Sequence, residues 1–334
     1  MDREALEAAA PVDSSLEFDR IIMLINPNST RSQIIKNHVK ELEASHYGDR
    51  ITKLYSFKEH LVNQELLLNN LKANDLLVVA GGDGTVHEAA TIVTKDLTGL
   101  GVKLLLLPGG NAGDLSYSVH GPGQLPTLSQ ILDNGRSLRV HPIDINTASE
   151  TKQSDGIAVG YAGFGFTALA ARVLNSPLYR KLPFYANPLA RAAYESTVAV
   201  TSVLRSPPFK IERDGEVEEL SELLAANGRR VAKRLSLPVG LEEDRIFVSR
   251  LETRRHRRLL MQWAGEVALH RQPSIKGLFL SKANEEVFSF ITRSPVTMQL
   301  DGEPRELGAD TEVVIKQSEA YLDIVKYRAV SAYS

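Results

Sequence analysis

LLVVAGGDGTVHE, residues 76–88, reads as an apolar strand that runs into a glycine-acid turn and then a helix. An unbroken apolar run of this length suits a strand buried on both faces of an α/β sheet. In Gly81-Gly82-Asp83-Gly84-Thr85 the glycines, lacking Cβ, let backbone N–H groups approach phosphate oxygens closely. The helix expected to begin near Val86 adds unpaired donors and partial positive charge. A bare Asp83 carboxylate would repel that phosphate unless it binds a divalent cation or a ligand hydroxyl. Thr85 offers a hydroxyl, His87 reads as a helix-start residue, and Glu88 stands one turn further along the same edge. Neither a GxxxxGK(S/T) loop nor a GxGxxG fingerprint is present.

Working outward, LLLLPGGNAGDL at 104–115 repeats the pattern one strand later, with Gly109, Gly110, Asn111, Gly113 and Asp114 in its loop. Upstream, RIIMLI at 20–25 is a short strand ending at Asn26-Pro27-Asn28-Ser29-Thr30. Proline stops the ladder there, and Ser29 or Thr30 is placed to cap the next helix. A strand at 51–55 and a leucine-rich helix at 59–72 complete the alternation. Residues 20–138 therefore read as one doubly wound, mostly parallel α/β lobe, whose ligands bind at the carboxyl ends of the strands.

From 139 the pattern becomes strand after strand, with segments such as 139–147, 156–161, 196–204, 207–213, 245–251, 285–291, 296–300 and 311–317. Helices are expected only at 164–174 and 186–195, with a charged one near 217–226. This predicts a mainly-β, sandwich-like second lobe over 139–318, joined through the turn signal Asn134-Gly135-Arg136. Residues 1–19 read as a flexible lead-in and 319–334 as a tail.

Composition narrows the partners. A net charge of -2 gives no overall positive field to gather nucleic acid, so no nucleic-acid partner is expected. With no cysteine, disulfides, thiolate catalysis and cysteine-ligated zinc are excluded. No apolar run reaches the ~18–20 residues that span a bilayer. The expectation is a cytoplasmic protein with peripheral membrane contact still open. The aromatic group Phe164, Phe166, Tyr179, Phe184 and Tyr185, with Leu178 and Leu182, either lines an acyl pocket or packs in the core. The basic run Arg250 to Arg258 either meets anionic lipid or is a solvated face.

Near the far end lies Gln299-Leu300-Asp301-Gly302-Glu303, by itself an ordinary hairpin signal. Together, NPNST at 26–30, GGDGTVHE at 81–88, PGGNAGDL at 108–115 and QLDGE at 299–303 resemble the diacylglycerol kinase catalytic-domain family. That family includes sphingosine, ceramide and bacterial lipid kinases and is related to NAD kinases. The resemblance implies two lobes enclosing a cleft, Mg2+ and ATP as cofactors, and a lipid hydroxyl as acceptor. It places Asn26, Pro27, Asn28, Ser29, Thr30, Ser56, Gly81 to Glu88 (with Val86), Gly110 and Asn111 around the nucleotide. It further makes Glu303 the general base with Asp301 and Asp83 beside it in catalysis, and gives the magnesium-water network to Asp83, Asp114 and Asp144. The tail from 319 is expected to return to the first lobe, transient membrane contact follows from a lipid substrate, and a homodimer is allowed. Asn111 stands where the family usually has threonine, Gly113 alters the same loop, and Ser29 lacks the usual following glycine. These departures keep open a soluble acceptor such as NAD, or a nucleotide- or lipid-binding module without catalysis.

Overall fold

The computed structural model describes residues 16–29, 31–109, 113–121, 126–149, 152–182, 187–228, 230–231, 235–236, 246–252 and 281–327. Two compact units emerge: the first runs to Val140 and resumes at Ala320, and the second runs from His141 to Glu319. The first holds β1 (Ile21–Ile25), α1 (Ser32–Glu43), β2 (Ile51–Tyr55), α2 (His60–Asn70), β3 (Leu76–Gly81), α3 (Asp83–Asp96), β4 (Lys103–Pro108), α4 (Asp114–His120), α5 (Leu128–Asn134) and β5 (Gly135–Val140). The second begins with β6 (Ile143–Ser149), β7 (Lys152–Ala158), β8 (Tyr161–Gly165), α6 (Phe166–Leu174), α7 (Pro177–Arg180), α8 (Pro188–Arg205), β9 (Phe209–Arg213) and β10 (Glu216–Ala226). It continues through β11 (Arg230–Val231), β12 (Leu235–Ser236), β13 (Ile246–Glu252), β14 (Ser281–Glu285), β15 (Val287–Thr292), β16 (Val296–Leu300), β17 (Glu303–Leu307) and β18 (Glu312–Gln317). The last strand, β19 (Leu322–Tyr327), belongs to the first unit again.

The first unit is a mixed α/β sheet in the order β2-β1-β3-β4-β19-β5. Strands β2, β1, β3, β4 and β19 run parallel, and β5 closes the far edge antiparallel to β19. The apolar runs are explained by burial on both faces: every residue of β3 is buried, as are Leu104 to Leu107 of β4. One face packs Ile21, Met23, Val78 and Leu105 against Ile35, Val39 and Leu42 of α1 and Leu128, Ile131 and Leu132 of α5.

In the second unit β17-β16-β8-β10-β9-β15-β18-β6-β7 form one hydrogen-bonded path, with β13 and β14 branching from β10. Alternate residues from nearly all these strands meet in one core, including Ile145, Phe164, Phe209, Leu223, Phe288, Phe290, Met298 and Val313. A single sheet buries one face this way only by curling. Phe164 on β8 and Phe290 on β15 stand three strands apart, about 14 Å in a flat sheet, yet their rings meet edge-on at 5.6 Å. The expected α/β lobe followed by a mainly-β lobe is what the chain forms.

Local assignments differ in five places. Residues 196–204, expected as a strand from Val198, Val200 and Val203, belong to α8. Pro188 starts that helix behind an Asn187 cap, and the hydroxyls of Ser196, Thr197 and Thr201 donate to carbonyls four residues back. Residues 217–226, expected as a charged helix, are the long strand β10. Asp214 and Gly215, both at positive φ, turn β9 back into it, and β8, β9 and β13 all pair with it. The expected strand 139–147 is two strands, split at His141-Pro142, and 156–161 straddles the end of β7 and the start of β8. Gly135 and Arg136 are the start of β5, so the division between units falls at Val140.

A buried carboxyl lies beneath α6. Glu222 of β10 pairs with Gly165, and it accepts hydrogen bonds from the Thr167 amide at 3.1 Å and from the Thr167 hydroxyl. Burial pushes its pKa up to about 8, against the opposing pull of the Thr167 and Phe166 bonds. A raised folded-state pKa gives stability that is complete below the unfolded value of 4.5 and is lost as pH climbs through about 8. The move corresponds to roughly 5 kcal/mol as an upper bound. Glu222→Gln is therefore expected to melt above the wild type at pH 8 and to lose that advantage at pH 5. Equal displacement of the two melting curves at both pH values would refute the linkage.

Candidate functional site

Carboxyl ends of β1, β3 and β4 lie side by side, and the strand order reverses between β1 and β3. Open α/β sheets bind ligands in the crevice at such a reversal. The loops there are sewn together by side chain to backbone bonds. Asn26 donates its amide N–H to the Ala80 carbonyl at 2.9 Å and its Nδ2 to Thr85 Oγ1 at 2.9 Å, while its Oδ1 accepts from the Asn28 amide. Ser29 Oγ donates to the Gly109 carbonyl, which the Arg31 amide also reaches at 3.2 Å. Gly109 in turn donates to the Gly81 carbonyl at 2.8 Å. A Cβ on Gly109 would stand 2.7 Å from Ile35 Cδ1 and Ser29 Oγ, so only glycine lets these backbones close up.

Asp83 opens α3, three residues before the start expected from the sequence. Its Oδ2 accepts from the Gly113 amide and its Oδ1 from the Asp114 amide, each at 3.0 Å. Asp83 thus clamps the second glycine loop to the first, which sequence reasoning did not anticipate. Gly113 adopts left-handed backbone at φ 64°, which accounts for glycine at that position ahead of α4. Asp114 is buried at the first position of α4. Gly82, Asp83 and Gly84 remain half-exposed, and N–H groups at a helix start have no partner within the helix.

Several assigned residues take other partners. Ser29 caps nothing: α1 begins after Arg31 and has no side-chain cap. Glu88 turns toward α2, where Asn63 Nδ2 donates to its Oε1 at 3.0 Å and its Oε2 at 2.9 Å, and His60 Nδ1 lies 2.8 Å from Oε1. Ser56 follows β2 and donates its amide to Ile25 at 2.9 Å. Val86 is buried, His87 half-buried, and Pro27 and Asn28 exposed. Thr30, Gly110 and Asn111 lie outside the described residues, as do residues 1–15, Phe184, Tyr185 and Arg254 to Arg258.

In the second unit Asp301 and Gly302 form the two-residue turn between β16 and β17, with φ 48° and 97°. Both residues at positive φ match the hairpin turn that Asp-Gly favours. The Asp301 carboxylate accepts three amides: Val159 at 2.7 Å, Gly160 at 2.8 Å and Tyr161 at 3.0 Å. Asn175 Nδ2 holds the Gly302 carbonyl at 2.6 Å. Asp301 is therefore an anchor for the turn, and the next residue, Glu303, is exposed at its rim. Among the described residues no hydrogen bond or ion pair engages the Glu303 carboxylate. Asp144 is half-buried on β6 opposite Lys316. Of the aromatic group, Phe164, Phe166 and Tyr179 are core residues, with the Tyr179 hydroxyl donating to Glu195 at 2.7 Å, while Leu178 is exposed. Arg250 spends its charge on Glu218 at 2.6 Å.

Residues 20–145 match the model of the diacylglycerol kinase catalytic domain. Over that stretch the chain is similar to the diacylglycerol kinase catalytic domain. Over the whole length, the fold is similar to a candidate diacylglycerol kinase from Bacillus anthracis str. Sterne, with TM-score 0.62 and 14% identity, covering 94% of this chain and 99% of that one. A diacylglycerol kinase structure from the same organism aligns at TM-score 0.57 and 13% identity, covering 93% and 98%. No curated protein matches significantly. At these identities the structures speak for the fold.

Magnesium sets a test for the residues present. Among the described residues no three His, Asp or Glu side chains group into a metal cage. Mg2+ does not require one, since it keeps several waters and takes one or two carboxylates plus substrate phosphates. Asp83 and its buried neighbour Asp114, joined through the 3.0 Å amide bond, offer that kind of donor set.

Proposed function

We propose that this chain transfers the γ-phosphoryl group of ATP to a lipid hydroxyl, with Glu303 as general base. The observation that carries the reading is the Asp83 clamp: one carboxylate ties the second glycine loop to the first at the start of α3, beside the half-exposed residues Gly82 to Gly84. In this reading Asn26, Ser29 and Thr85 hold the rim in register, and Gly82 to Thr85 supply donors to the phosphate oxygens. Asp83 and Asp114 would hold the magnesium ion. When bound, the ion neutralises charge on the phosphates and aligns the transferring group.

Glu303 takes the proton from the acceptor hydroxyl as the oxygen attacks phosphorus, and the bond to the β-phosphate oxygen breaks. Asp301 fixes the turn that presents it. Asp144 joins the metal network through the family resemblance. A lipid acceptor entails transient contact with a membrane surface, and among the described residues no helix is long and apolar enough to cross one. Labelled ATP with magnesium, offered diacylglycerol, a sphingoid base, phosphatidylglycerol and NAD in parallel, is expected to label a lipid alone. Label on NAD alone, or on nothing despite ATP binding, would reject the reading.

A further inference from the structure

The stretch joining β2 to α2 sits at the same carboxyl edge as the glycine loops, and it carries an unusual fixture. Asn63 of α2 is wholly buried, and both ends of its amide grip the backbone of Phe57. The Phe57 N–H donates to Asn63 Oδ1 at 2.7 Å, and Asn63 Nδ2 donates to the Phe57 carbonyl at 2.9 Å. The same Nδ2 reaches Glu88, one turn along α3 from the phosphate loop. Phe57 is thereby tied to the helix whose first turn carries that loop, yet its side chain is left 55% exposed.

A single exposed phenylalanine is commonplace. A buried asparagine that satisfies both backbone groups of that phenylalanine, and anchors to the phosphate-loop helix as well, is a device for holding the ring in place. The strand order supplies the distance. β2 lies two strand spacings from β3, about 10 Å, which is the scale on which a nucleoside base stands off from its phosphates. Next to it, exposed His60 is tied to Glu88 at 2.8 Å, so a further ring near Phe57 is also held from α3.

We infer that Phe57 is the stacking platform for the purine base of the bound nucleotide, and that Asn63 and Glu88 position it. The inference rests on the nucleotide reading above and adds the base-recognition element to it. Stacking reads a π-face and not an edge, so adenine and guanine are accepted alike and the ring contributes affinity without selecting between them.

Isothermal titration of the full chain with Mg-ADP, Mg-GDP and magnesium tripolyphosphate tests it. Phe57→Ala is expected to weaken ADP and GDP about tenfold each and to leave tripolyphosphate within about twofold. Phe57→Trp should keep ADP affinity, and the fluorescence of its added indole should be quenched by ADP but not by tripolyphosphate. Unchanged ADP affinity in Phe57→Ala, or equal weakening of ADP and tripolyphosphate, overturns the stacking role while sparing the nucleotide site. Failure of the wild-type chain to bind any of the three overturns both.

Discussion

Glu303→Gln is expected to lower kcat by about 10²–10⁴-fold while ATP binding stays within about twofold, the loss typical of a missing general base. Glutamine keeps the shape of the side chain and removes only its capacity to take a proton. The hairpin should be untouched, because its geometry comes from the Asp301-Gly302 backbone and from the three amides bound to Asp301. The Leu300 and Glu303 backbones still pair. Steady-state rates on the lipid found by the acceptor screen, together with ADP titration, separate chemistry from binding. Turnover at wild-type level would remove Glu303 from the mechanism, and a parallel loss of ADP affinity would point to a folding defect.

Gly165→Ala should be strongly destabilising, because two costs fall together at this described glycine. Gly165 ends β8 at φ 113°, where an alanine is strained whatever the space. Its added Cβ would also meet the Ser221 carbonyl at 2.3 Å, Glu222 Oε2 at 2.9 Å and the Phe209 ring at 3.2 Å. All three are held: Ser221 sits in a β10 bulge, Glu222 on Thr167, and Phe209 in the core. Strain and overpacking together imply a cost above about 4 kcal/mol. Gly215→Ala is the matched control, with φ 80° but nothing within 4 Å of the new methyl, so it should cost only the backbone share. Chemical denaturation of the two variants measures the difference. Equal destabilisation would show that backbone conformation alone governs both sites.

Much of the first unit was legible in the chain. Apolar runs of about five residues followed by turn signals announce strands buried on two faces, and β1, β3 and β4 are that. Local chemistry misled where packing outvoted propensity. The β-branched residues of 196–204 look like a strand, but α8 is set by its cap and by burial of Glu195, Val198 and Ser202 at helical spacing. The charged spacing of 217–226 looks helical, but the Asp214-Gly215 turn commits the segment to pairing with β9. Asn63 could have been found as the polar residue four positions before Leu67 on the buried face of α2.

By itself the sequence determined which short segments deliver glycines, carboxylates and hydroxyls to strand ends, because such turns are chosen by backbone conformation within a few residues. What the carboxylates do there was decided only by tertiary structure. Asp83 finds its partners at Gly113 and Asp114, Asp301 at Val159 to Tyr161, and Asn63 at Phe57 and Glu88. A carboxylate's role follows from the donors that reach it, and here most of those donors lie on other elements of the fold. Glu303, with no such donor among the described residues, stands exposed at the rim of the hairpin.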